Sequence, residues 1–521
     1  MSPVESQSTD LWVRKKYKAL LEESGPGHPA LTLVMYMCAI WLAASGLSGA
    51  VARYSEGSVV LALGLLGTWR YGWWALHHVR SMIYTHVAYP ALKRSAMTAW
   101  DEGHRPDRIW FQMTTYHEDP QTTAEVLTSI LAEVRLIGLP ATLMIGTGAE
   151  EDEDVIREFF RQHNPPASFE FHLVRQSKPG KRNAIGAVLR HMANFPVGSD
   201  PVVFMDGDSI LGVGSVLKCV QLMKANPRVR GVTTNETPIV KGSRFVQNFL
   251  HMRFAVRDVH MRSMALSFRL TALTGRMSVL RADDAIHPDF ISVIEEDHLE
   301  HWFWGRFRFL SGDDKSSWFY LLTRGADFLY VPDAMVYTIE RIEDSEAGER
   351  IKQNLMRWSG NMLRSGTRAI PLGPKRLGLY LWWCLIDQRI AIWTSLIGAC
   401  GGLLLALVGE WELFLVYVIW AATTRLVQSI MLFFYHGRIN MWFPLMMYVN
   451  QIAGAAIKLF IFCRLPLQRW TNRNNQKAGF GEYSSFQLGF ASFQTALGVL
   501  FIVGASLLLT GILRLPIPLT W

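Results

Sequence analysis

The sequence predicts a water-soluble α/β domain placed between two groups of membrane-spanning helices. Half of the 521 residues are hydrophobic and only 18% are charged, whereas soluble domains carry about 25% charged residues. Apolar runs long enough to cross about 30 Å of hydrocarbon occur near both ends, from Ala30 to Val51 and again after Pro374. Between them, over residues 100–370, the apolar runs shorten to the length of strands.

The N-terminal part is predicted to be a cytosolic tail, residues 1–29, followed by a transmembrane hairpin, residues 30–78. The first apolar run lies too far from the start and is too long for a simple signal peptide. The second run, 58–77, carries Arg70, which marks a helix end or a side that faces protein. Basic residues flank the hairpin, at Arg14, Lys15, Lys16 and Lys18 before it and at Arg80, Lys93 and Arg94 after it. The positive-inside rule places both flanks in the cytosol.

The central domain alternates short apolar strands with helical stretches. The predicted strands are Ile109–Met113, Thr142–Ile145, Phe169–Val174 and Val202–Met205, and the helical stretches are 120–137 and 151–163. This alternation is typical of a parallel sheet with crossover helices. Such sheets often bind nucleotides at the carboxyl ends of their strands, although the fold alone proves no function.

The C-terminal part contains apolar segments at about 379–408, 413–434, 440–463 and 489–513. Three complete passes from a cytosolic start would leave the basic loop Arg464–Lys477 outside, against the positive-inside rule. We therefore predict that one segment does not span. Residues 379–389 are interpreted as a surface helix leading into a spanning helix at 390–408, and 440–463 as interfacial or pore-lining.

Two carboxylates follow a predicted strand in the sequence Phe204-Met-Asp206-Gly-Asp208. Carboxylates at a strand end can converge on one hard cation, and Mg²⁺ or Mn²⁺ prefers such oxygen ligands and bridges to phosphate oxygens. An exposed turn can also hold two aspartates without function. The apolar strand before them favours the metal site.

A second acidic pair, Asp313 and Asp314, lies about 100 residues later in Gly312-Asp-Asp-Lys315. Adjacent carboxylates can raise one another's pKa, which suits a general base. The alternative is that one aspartate caps a helix over residues 315–323. The two interpretations are compatible, because a base at a helix start is well positioned.

Four smaller features complete the predicted site. Arg357-Trp358 offers a cation for phosphate and a flat face for a sugar ring, on what is otherwise an amphipathic helix. The segment Gln112–Asp119 ends the first strand. Lys178–Asn183 is a basic loop that enters a helix and can hold phosphate. Thr274-Gly-Arg276 is a tight turn that could bring backbone and guanidinium near a ligand.

Other patterns favour structural interpretations. The net charge of +8 fits a membrane protein with basic cytosolic loops, so we predict no nucleic-acid partner. His298 and His301 with their acidic neighbours are interpreted as a charged helix face rather than a metal site. The cysteines Cys38, Cys219, Cys384, Cys400 and Cys463 lack metal-ligand spacing and are interpreted as small buried side chains.

The ordered set of motifs resembles the processive family-2 glycosyltransferases, which include cellulose, chitin and hyaluronan synthases, over nearly the whole chain. Longer strings resemble the mannuronan synthases, or alginate polymerases, within that family. These strings are Gly231–Glu236, Met264–Ser267, Thr274–Val279, Gly305–Leu310, Gly312–Phe319 and Asn450-Gln451. Asn354 stands where the wider family has Gln in its Gln-x-x-Arg-Trp string, which favours the subfamily. The N-terminal 28 residues are longer and more polar than the family pattern.

The resemblance implies a GT-A type, Rossmann-like cytosolic domain in a bacterial inner-membrane protein. It implies GDP-mannuronic acid as donor, β-1,4-linked polymannuronate as product, and Mg²⁺ or Mn²⁺ as cofactor. Residues 375–515 would form interfacial and transmembrane helices around a polymer channel. A membrane partner with a PilZ domain that binds cyclic di-GMP would regulate the enzyme in trans.

The resemblance also assigns roles within one inverting displacement. Asp206 and Asp208 hold the metal and the donor diphosphate, and Asp314 takes the proton from the acceptor hydroxyl. The predicted donor-binding residues are Thr115, Asp119, Lys181, Asp206, Gly275 and Arg276. The predicted acceptor-binding residues are Asp313, Lys315, Trp318, Arg357 and Trp358, with Arg357 facing the phosphates. Arg276 or Arg308 would bind the uronate carboxylate, and the loop 464–477 would close over the donor.

Three other functions stay open at this stage. One is a family-2 synthase of another polysaccharide from a UDP- or GDP-sugar. Another is a non-processive transferase that adds one sugar to a lipid carrier, which the Arg-Trp string and the C-terminal membrane segments disfavour. The last is a transporter or scaffold with a degenerate domain, which the intact carboxylates Asp206, Asp208 and Asp314 disfavour.

Overall fold

The structure, a computed structural model, describes residues 15–17, 28–54, 58–468 and 483–513. In the first long helix, side chains are described up to residue 46, and in the second they are described from residue 66. Those helices are α1 (Pro29–Tyr54) and α2 (Ser58–Ile83). A single π-helical turn, Tyr84–Ala88, joins α2 to α3 (Tyr89–Asp101) without a break. Helix α2 therefore runs directly into the central domain.

The central domain is built on an eight-stranded mixed sheet with a separate two-stranded hairpin. The strands are β1 (Ile109–Thr115), β2 (Ala141–Thr147), β3 (Phe169–Arg175), β4 (Pro201–Asp206), β5 (Ser209–Leu211), β6 (Val229–Gly242), β7 (Met277–Arg281), β8 (His298–His301), β9 (Gly305–Arg308) and β10 (Asp327–Ile342). The helices between them are α4 (Pro120–Ile137), α5 (Glu150–Gln162), α6 (Lys181–Met192), α7 (Ser215–Ala225), α8 (Arg244–Ala265), α9 (Ala282–Ala285), α10 (Pro288–Glu296) and α11 (Asp313–Thr323).

The order of the large sheet is β3-β2-β1-β4-β7-β6-β10-β5. Strands β1 to β4 are parallel, whereas β7 pairs antiparallel with both β4 and β6. The four predicted strands lie inside β1 to β4, so the prediction of an α/β domain is confirmed. Strand β2 is buried along its whole length, because parallel strands covered by helices on both faces carry continuous apolar runs.

The hairpin of β8 and β9 corrects one sequence interpretation. His298 and His301 lie on a strand that pairs with Arg308 and Gly305 of the other arm, not on a helix face. Within the described residues, no cluster of three or more His, Cys, Asp or Glu side chains could hold a metal ion. The interpretation of His298 and His301 as a helix face is therefore wrong, because they belong to a two-stranded hairpin.

The C-terminal part begins with the amphipathic helix α12 (Ala347–Ala369), followed by the 3₁₀ turn Ile370–Leu372 and the short helix α13 (Gly373–Leu377). Four long helices follow: α14 (Leu379–Leu407), α15 (Trp411–His436), α16 (Phe443–Phe462) and α17 (Ser485–Leu509). Together with α1, these are the five described helices that are long and apolar enough to cross a membrane. The chain is therefore a membrane protein in which several long apolar helices accompany the α/β domain.

Residues 379–389, predicted as a surface helix, and 390–408, predicted as the spanning helix that follows it, form one continuous helix, α14. The polar residues that suggested a surface position have partners within the protein. Asp387 pairs with Arg70 at 2.5 Å, and Arg389 donates to Leu363 O and Thr367 Oγ1. Residues 469–477, which make up most of the predicted basic loop, lie outside the described residues.

Candidate active site

A cleft opens at the carboxyl ends of β1 and β4, where the parallel part of the sheet meets β7. Its walls come from the ends of these strands, from the start of α6 and from the start of α11. The polar side chains that line it are Gln112, Lys181, Asp206, Thr274, Ser278, Asp313, Asp314 and Ser317. The fold thus brings together residues that are far apart in the sequence.

Asp206 and Asp208 are held by cations from two directions. Lys181 Nζ lies 2.7 Å from Asp206 Oδ1, and Arg276 Nη1 donates to both carboxylate oxygens of Asp208 at 2.8 Å. Arg276 is also 3.7 Å from Asp206 Oδ2 and 3.5 Å from Glu340 Oε1. The two carboxylates therefore face a common space with two cations at its edge.

Glycines at two positions leave room for this arrangement. A Cβ at Gly207, between the two aspartates, would lie 2.6 Å from Thr114 O at the end of β1. Only glycine therefore allows the turn to approach the strand so closely. A Cβ at Gly275 would lie 3.6 Å from Asp206 Oδ2 and 4.0 Å from Asp314 Cβ. Gly275 therefore forms the floor of the cleft between the two acidic pairs.

Asp313 and Asp314 stand at the start of α11, behind Gly312 with φ +86°. The helix begins at Asp313, so the aspartates occupy its first turn and do not cap a later helix. Negative charge is favoured there by the helix dipole. Asp313 Oδ2 accepts from Lys181 Nζ at 3.0 Å, and Asp314 Oδ2 accepts from Lys315 Nζ at 2.9 Å. Lys181 thus bridges the two acidic pairs.

One carboxylate of each pair has a shifted pKa, and the pKa shifts of Asp206 and Asp313 are opposite in direction. Burial, the largest cause, and the neighbouring Asp208 raise the pKa of Asp206, against the opposing effect of Lys181. Burial alone would raise the pKa of Asp313, but the cations of Lys181 and Arg182 outweigh it and hold the pKa below its usual value. Carboxylates this enclosed remain ionised only while cations accompany them. An additional cation beside Asp206 would therefore stabilise its ionised form.

Comparison with known proteins agrees with this geometry. The family model described as "Glycosyltransferase like family 2" matches residues 106–361. The chain is 34% identical over 466 residues to "Glycosyltransferase alg8" of Pseudomonas syringae pv. tomato, covering 89% of this chain and 93% of that protein. The chain belongs to the family-2 glycosyltransferases.

A second relative extends the assignment. The chain is 33% identical over 482 residues to "Glycosyltransferase alg8" of Azotobacter vinelandii, covering 90% of this chain and 97% of that protein. The predicted resemblance to the alginate polymerase group of the family is therefore confirmed. Among solved structures, the chain resembles the "Mannosyltransferase PcManGT from Pyrobaculum calidifontis in complex with GDP-Man and Mn2+". The two chains are 14% identical and superpose with a TM-score of 0.41, and the match covers 74% of this chain and 99% of that chain. A likeness this distant carries no conclusion about ligands.

In this glycosyltransferase, the predicted Arg-Trp pair lies on α12, beside the cleft. Arg357 is close enough to Arg276, Glu340 and Asp206 to interact with them, and burial together with Arg276 lowers its pKa. Its neighbour Trp358 is half-buried and packs against a hydrophobic cluster of α8, α12 and α16 side chains, with the guanidinium of Arg253 4.8 Å from its ring centre. The two neighbouring side chains therefore contact different groups.

Trp318 is a correction to the predicted acceptor site. Its side chain is fully buried in the main hydrophobic core, and its indole N–H donates to Leu270 O at 2.8 Å. A side chain enclosed in this way stabilises α11 and cannot contact a sugar. Arg308 is also displaced from the cleft, since its guanidinium donates to Glu295 O on the exposed hairpin side.

The predicted donor residues at the end of β1 lie at the cleft margin. Thr115 is buried, and its hydroxyl has no hydrogen-bond partner among the described residues. Asp119 precedes α4 and its Oδ2 accepts from Thr122 at 3.2 Å and lies 3.3 Å from Arg341. An unsatisfied hydroxyl in such a position is available to a ligand.

Sequence reasoning missed the network that fixes α11 in place. Arg182, which is buried, donates to Ile294 O, Ser311 O and Ser316 Oγ. Asp297 binds Arg368 through both carboxylate oxygens at 2.7 Å and accepts from Ser316 at 2.5 Å. Arg182 neighbours the predicted Lys181, so its position in the basic loop was the available signal. Asp297 was included in the cluster interpreted as a charged face.

A second missed group supports Arg276 and Gly275. Glu236 is buried, and its Oε1 lies 2.9 Å from Arg257 Nη1 and accepts a hydrogen bond from Thr274 Oγ1. The string Gly231–Glu236 contributed to the family resemblance, but no chemistry was assigned to its glutamate. These contacts fix the turn that presents Gly275 and Arg276 to the cleft.

Proposed function

We propose that this glycosyltransferase polymerises mannuronate from GDP-mannuronic acid into β-1,4-linked polymannuronate and moves the product across the bacterial inner membrane. The observation that carries the proposal is the convergence of Asp206, Asp313 and Asp314 on the cleft beside Gly275, with Asp208 held by the adjoining Arg276. One pair suits a metal-bound diphosphate, and the other suits an acceptor hydroxyl. The relatives' name, glycosyltransferase alg8, supports an alginate-related product.

Asp206 and Asp208 would hold Mg²⁺ or Mn²⁺. Burial raises the pKa of Asp206, and two oxygen ligands beside a cleft fit a hard divalent cation that would supply positive charge for phosphate oxygens. Such an ion neutralises the charge that develops on a departing diphosphate. Lys181 and Arg276 would then exchange their carboxylate partners for phosphate oxygens or, in the case of Arg276, for the uronate carboxylate.

Asp314 would take the proton from the acceptor hydroxyl during a single displacement that inverts the anomeric carbon. It lies across Gly275 from Asp206, with the two side chains 3.6 to 4.0 Å from the position of a Cβ there. Asp313 and Lys315 hold this end of the cleft through their contacts with Lys181 and Asp314. The proton then stays on Asp314 until solvent removes it.

The acceptor would stack on Trp358, and Arg357 would face the phosphates. Thr115 and Asp119 would contact the nucleotide, since Thr115 has a free hydroxyl and Asp119 lies at the start of a helix. The catalytic domain would lie in the cytosol, with the helices of residues 375–515 around the polymer, lipid outside them, and the loop 464–477 over the donor. A membrane protein with a PilZ domain would supply regulation by cyclic di-GMP.

The decisive experiment is a donor screen on membranes that contain the protein. GDP release and polymer formation are measured for GDP-mannuronate, GDP-mannose and UDP-sugars, with and without EDTA. We expect turnover only with GDP-mannuronate and a divalent cation. Polymer from a UDP-sugar would contradict the donor assignment, a product of one added sugar would indicate a non-processive transferase, and no nucleotide release would indicate a scaffold.

A further inference from the structure

Two cations lie behind the cleft without acidic partners. Arg253 is on α8 and Lys458 is on α16, and among the described residues neither lies within ion-pair distance of a carboxylate. Lys458 belongs to a helix long and apolar enough to cross a membrane. Placing a charged side chain within a membrane costs free energy, so the presence of Lys458 in this helix points to a function.

The contacts of Arg253 are with neutral groups. Its Nη1 donates to Asn450 Oδ1 at 2.7 Å, and its guanidinium lies over the ring of Trp358 at 4.8 Å. Burial, with no counteracting carboxylate, lowers the pKa of Arg253 to about 10, which leaves it cationic at neutral pH. The positive charge of Arg253 therefore lies next to the ring of Trp358, the proposed acceptor-stacking residue.

Helices α8 and α16 run side by side at this point. Arg253 contacts Asn450, and further along both helices His260 lies near Lys458. Asn450, Gly454 and Lys458 are spaced four residues apart, so they occupy one face of α16. Arg253 and Arg70 are close enough to Lys458 to repel its ammonium group.

The face between these cations is open. Gly454 is buried, yet a Cβ added to it would meet no atom within 4 Å. Arg253 and Lys458 both retain partial exposure although protein surrounds them. A buried glycine beside free space, with a cation at each end, is the arrangement expected for the wall of a passage.

We propose that Arg253, Asn450 and Lys458 line the start of the polymer path and bind the carboxylates of an acidic polysaccharide as it leaves Trp358. This inference rests on the proposed function, and adds to it the residues that select a charged product. A neutral polymer would gain nothing from two unpaired cations, whereas a polyuronate carries one carboxylate on each sugar. The donor diphosphate is a less suitable ligand, because Arg253, Asn450 and Lys458 are not among the residues that line the cleft of Asp206.

The experiment measures binding of an oligomannuronate of about ten sugars to the purified full-length protein by calorimetry. A neutral β-1,4-mannan oligomer of equal length is the comparison. We expect the acidic oligomer to bind more tightly at low salt and to lose this advantage at high salt. Lys458→Gln and Arg253→Gln should each weaken its binding about tenfold, with no change for the neutral oligomer.

Two further variants separate charge from folding. Lys458→Arg should retain the affinity for the acidic oligomer, because the positive charge remains. Lys375→Gln, which removes an exposed cation from α13, should leave it unchanged. Equal binding of the two oligomers by the unsubstituted protein, or equal losses for both oligomers in the Gln variants, would overturn the proposal.

A second measurement separates this inference from the proposed function. In the donor reaction, Lys458→Gln should shorten the polymer several-fold, while the KM for GDP-mannuronate changes less than about twofold. An increase in that KM with unchanged polymer length would assign the cations to the donor and overturn the proposal. A failure of the unsubstituted protein to use GDP-mannuronate contradicts the proposed function, whereas the binding measurement tests the passage independently.

Discussion

In the catalytic cleft the cations contact carboxylates, whereas in the space behind it they contact neutral groups. In the cleft, the cations of Lys181 and Arg276 each contact carboxylates at 2.7 to 3.0 Å. Behind it, Arg253 contacts an amide and an aromatic ring, and Arg425 contacts the amides of Gln428 and Gln451. The charged side chains of both regions are partly or fully buried. The two regions therefore differ in the contact partners of the cations and not in their burial.

This difference fits the two ligands that we propose. In the proposed reaction, the paired charges of the cleft exchange partners when a metal ion and a diphosphate enter together, since the total charge changes little. The unpaired cations of the proposed passage have no carboxylate to release, so they bind an anion directly. A region with paired charges suits a reaction with a neutralised leaving group, and a region with unpaired cations suits transit of an acidic product.

The largest expected effect tests the reactive end of the cleft. Asp314→Asn should reduce transfer about 10²- to 10⁴-fold, because the amide cannot accept the acceptor proton. Donor binding, measured by GDP-mannuronate titration, should remain near that of the unsubstituted protein. Asp289→Asn, at an exposed site, is the control. Normal turnover in Asp314→Asn would remove the base assignment.

The next effect concerns the metal-binding end. Asp208→Asn should lower turnover by at least about 10²-fold and should weaken the response to added Mn²⁺ in a titration that follows EDTA treatment. The substitution also frees Arg276 from its closest partner, so donor affinity is measured separately. Full activity in EDTA would contradict the metal assignment for both aspartates.

Two glycines provide a matched pair for the same cleft. Gly275→Ala adds a methyl group at ordinary contact distances, 3.6 to 4.0 Å, so we expect an unchanged melting temperature and a KM for the donor raised about tenfold. Gly207→Ala places its methyl 2.6 Å from Thr114 O and should destabilise the domain by about 1 to 3 kcal/mol. The reverse pattern would mean that ligands do not occupy the space above Gly275.

The smallest effect lies at the border between the two regions. Trp358→Ala removes the ring over which Arg253 lies and should shorten the polymer, with a loss of about 0.5 to 1.5 kcal/mol in acceptor binding. Trp358→Tyr should retain most of the length, because an aromatic face remains. Polymer of normal length from Trp358→Ala would place the acceptor elsewhere.

Much of the cleft was predictable because its residues lie in short motifs. Asp206, Asp208, Asp313 and Asp314 were identified from strand-end and turn positions. The structure places three of them in the lining of one cleft, and Asp208 binds Arg276, which also lies 3.7 Å from Asp206. Trp318 was assigned wrongly, since the motif gives no information on which side of α11 faces the core. The partners Glu236, Asp297 and Arg368 escaped because their contacts join segments distant in the chain.

The sequence by itself determined the local properties of this protein. It established the long apolar helices, the parallel strands β1 to β4, the acidic motifs at turns and the family. These depend on periodicity, length and residue type within a few neighbours, which the chain displays directly. Only the tertiary structure decided which charges have partners. Asp387 of the continuous helix α14 is satisfied by Arg70 of α2, whereas Arg253 and Lys458 meet no carboxylate in the described chain, because pairing depends on the distance between helices far apart in sequence.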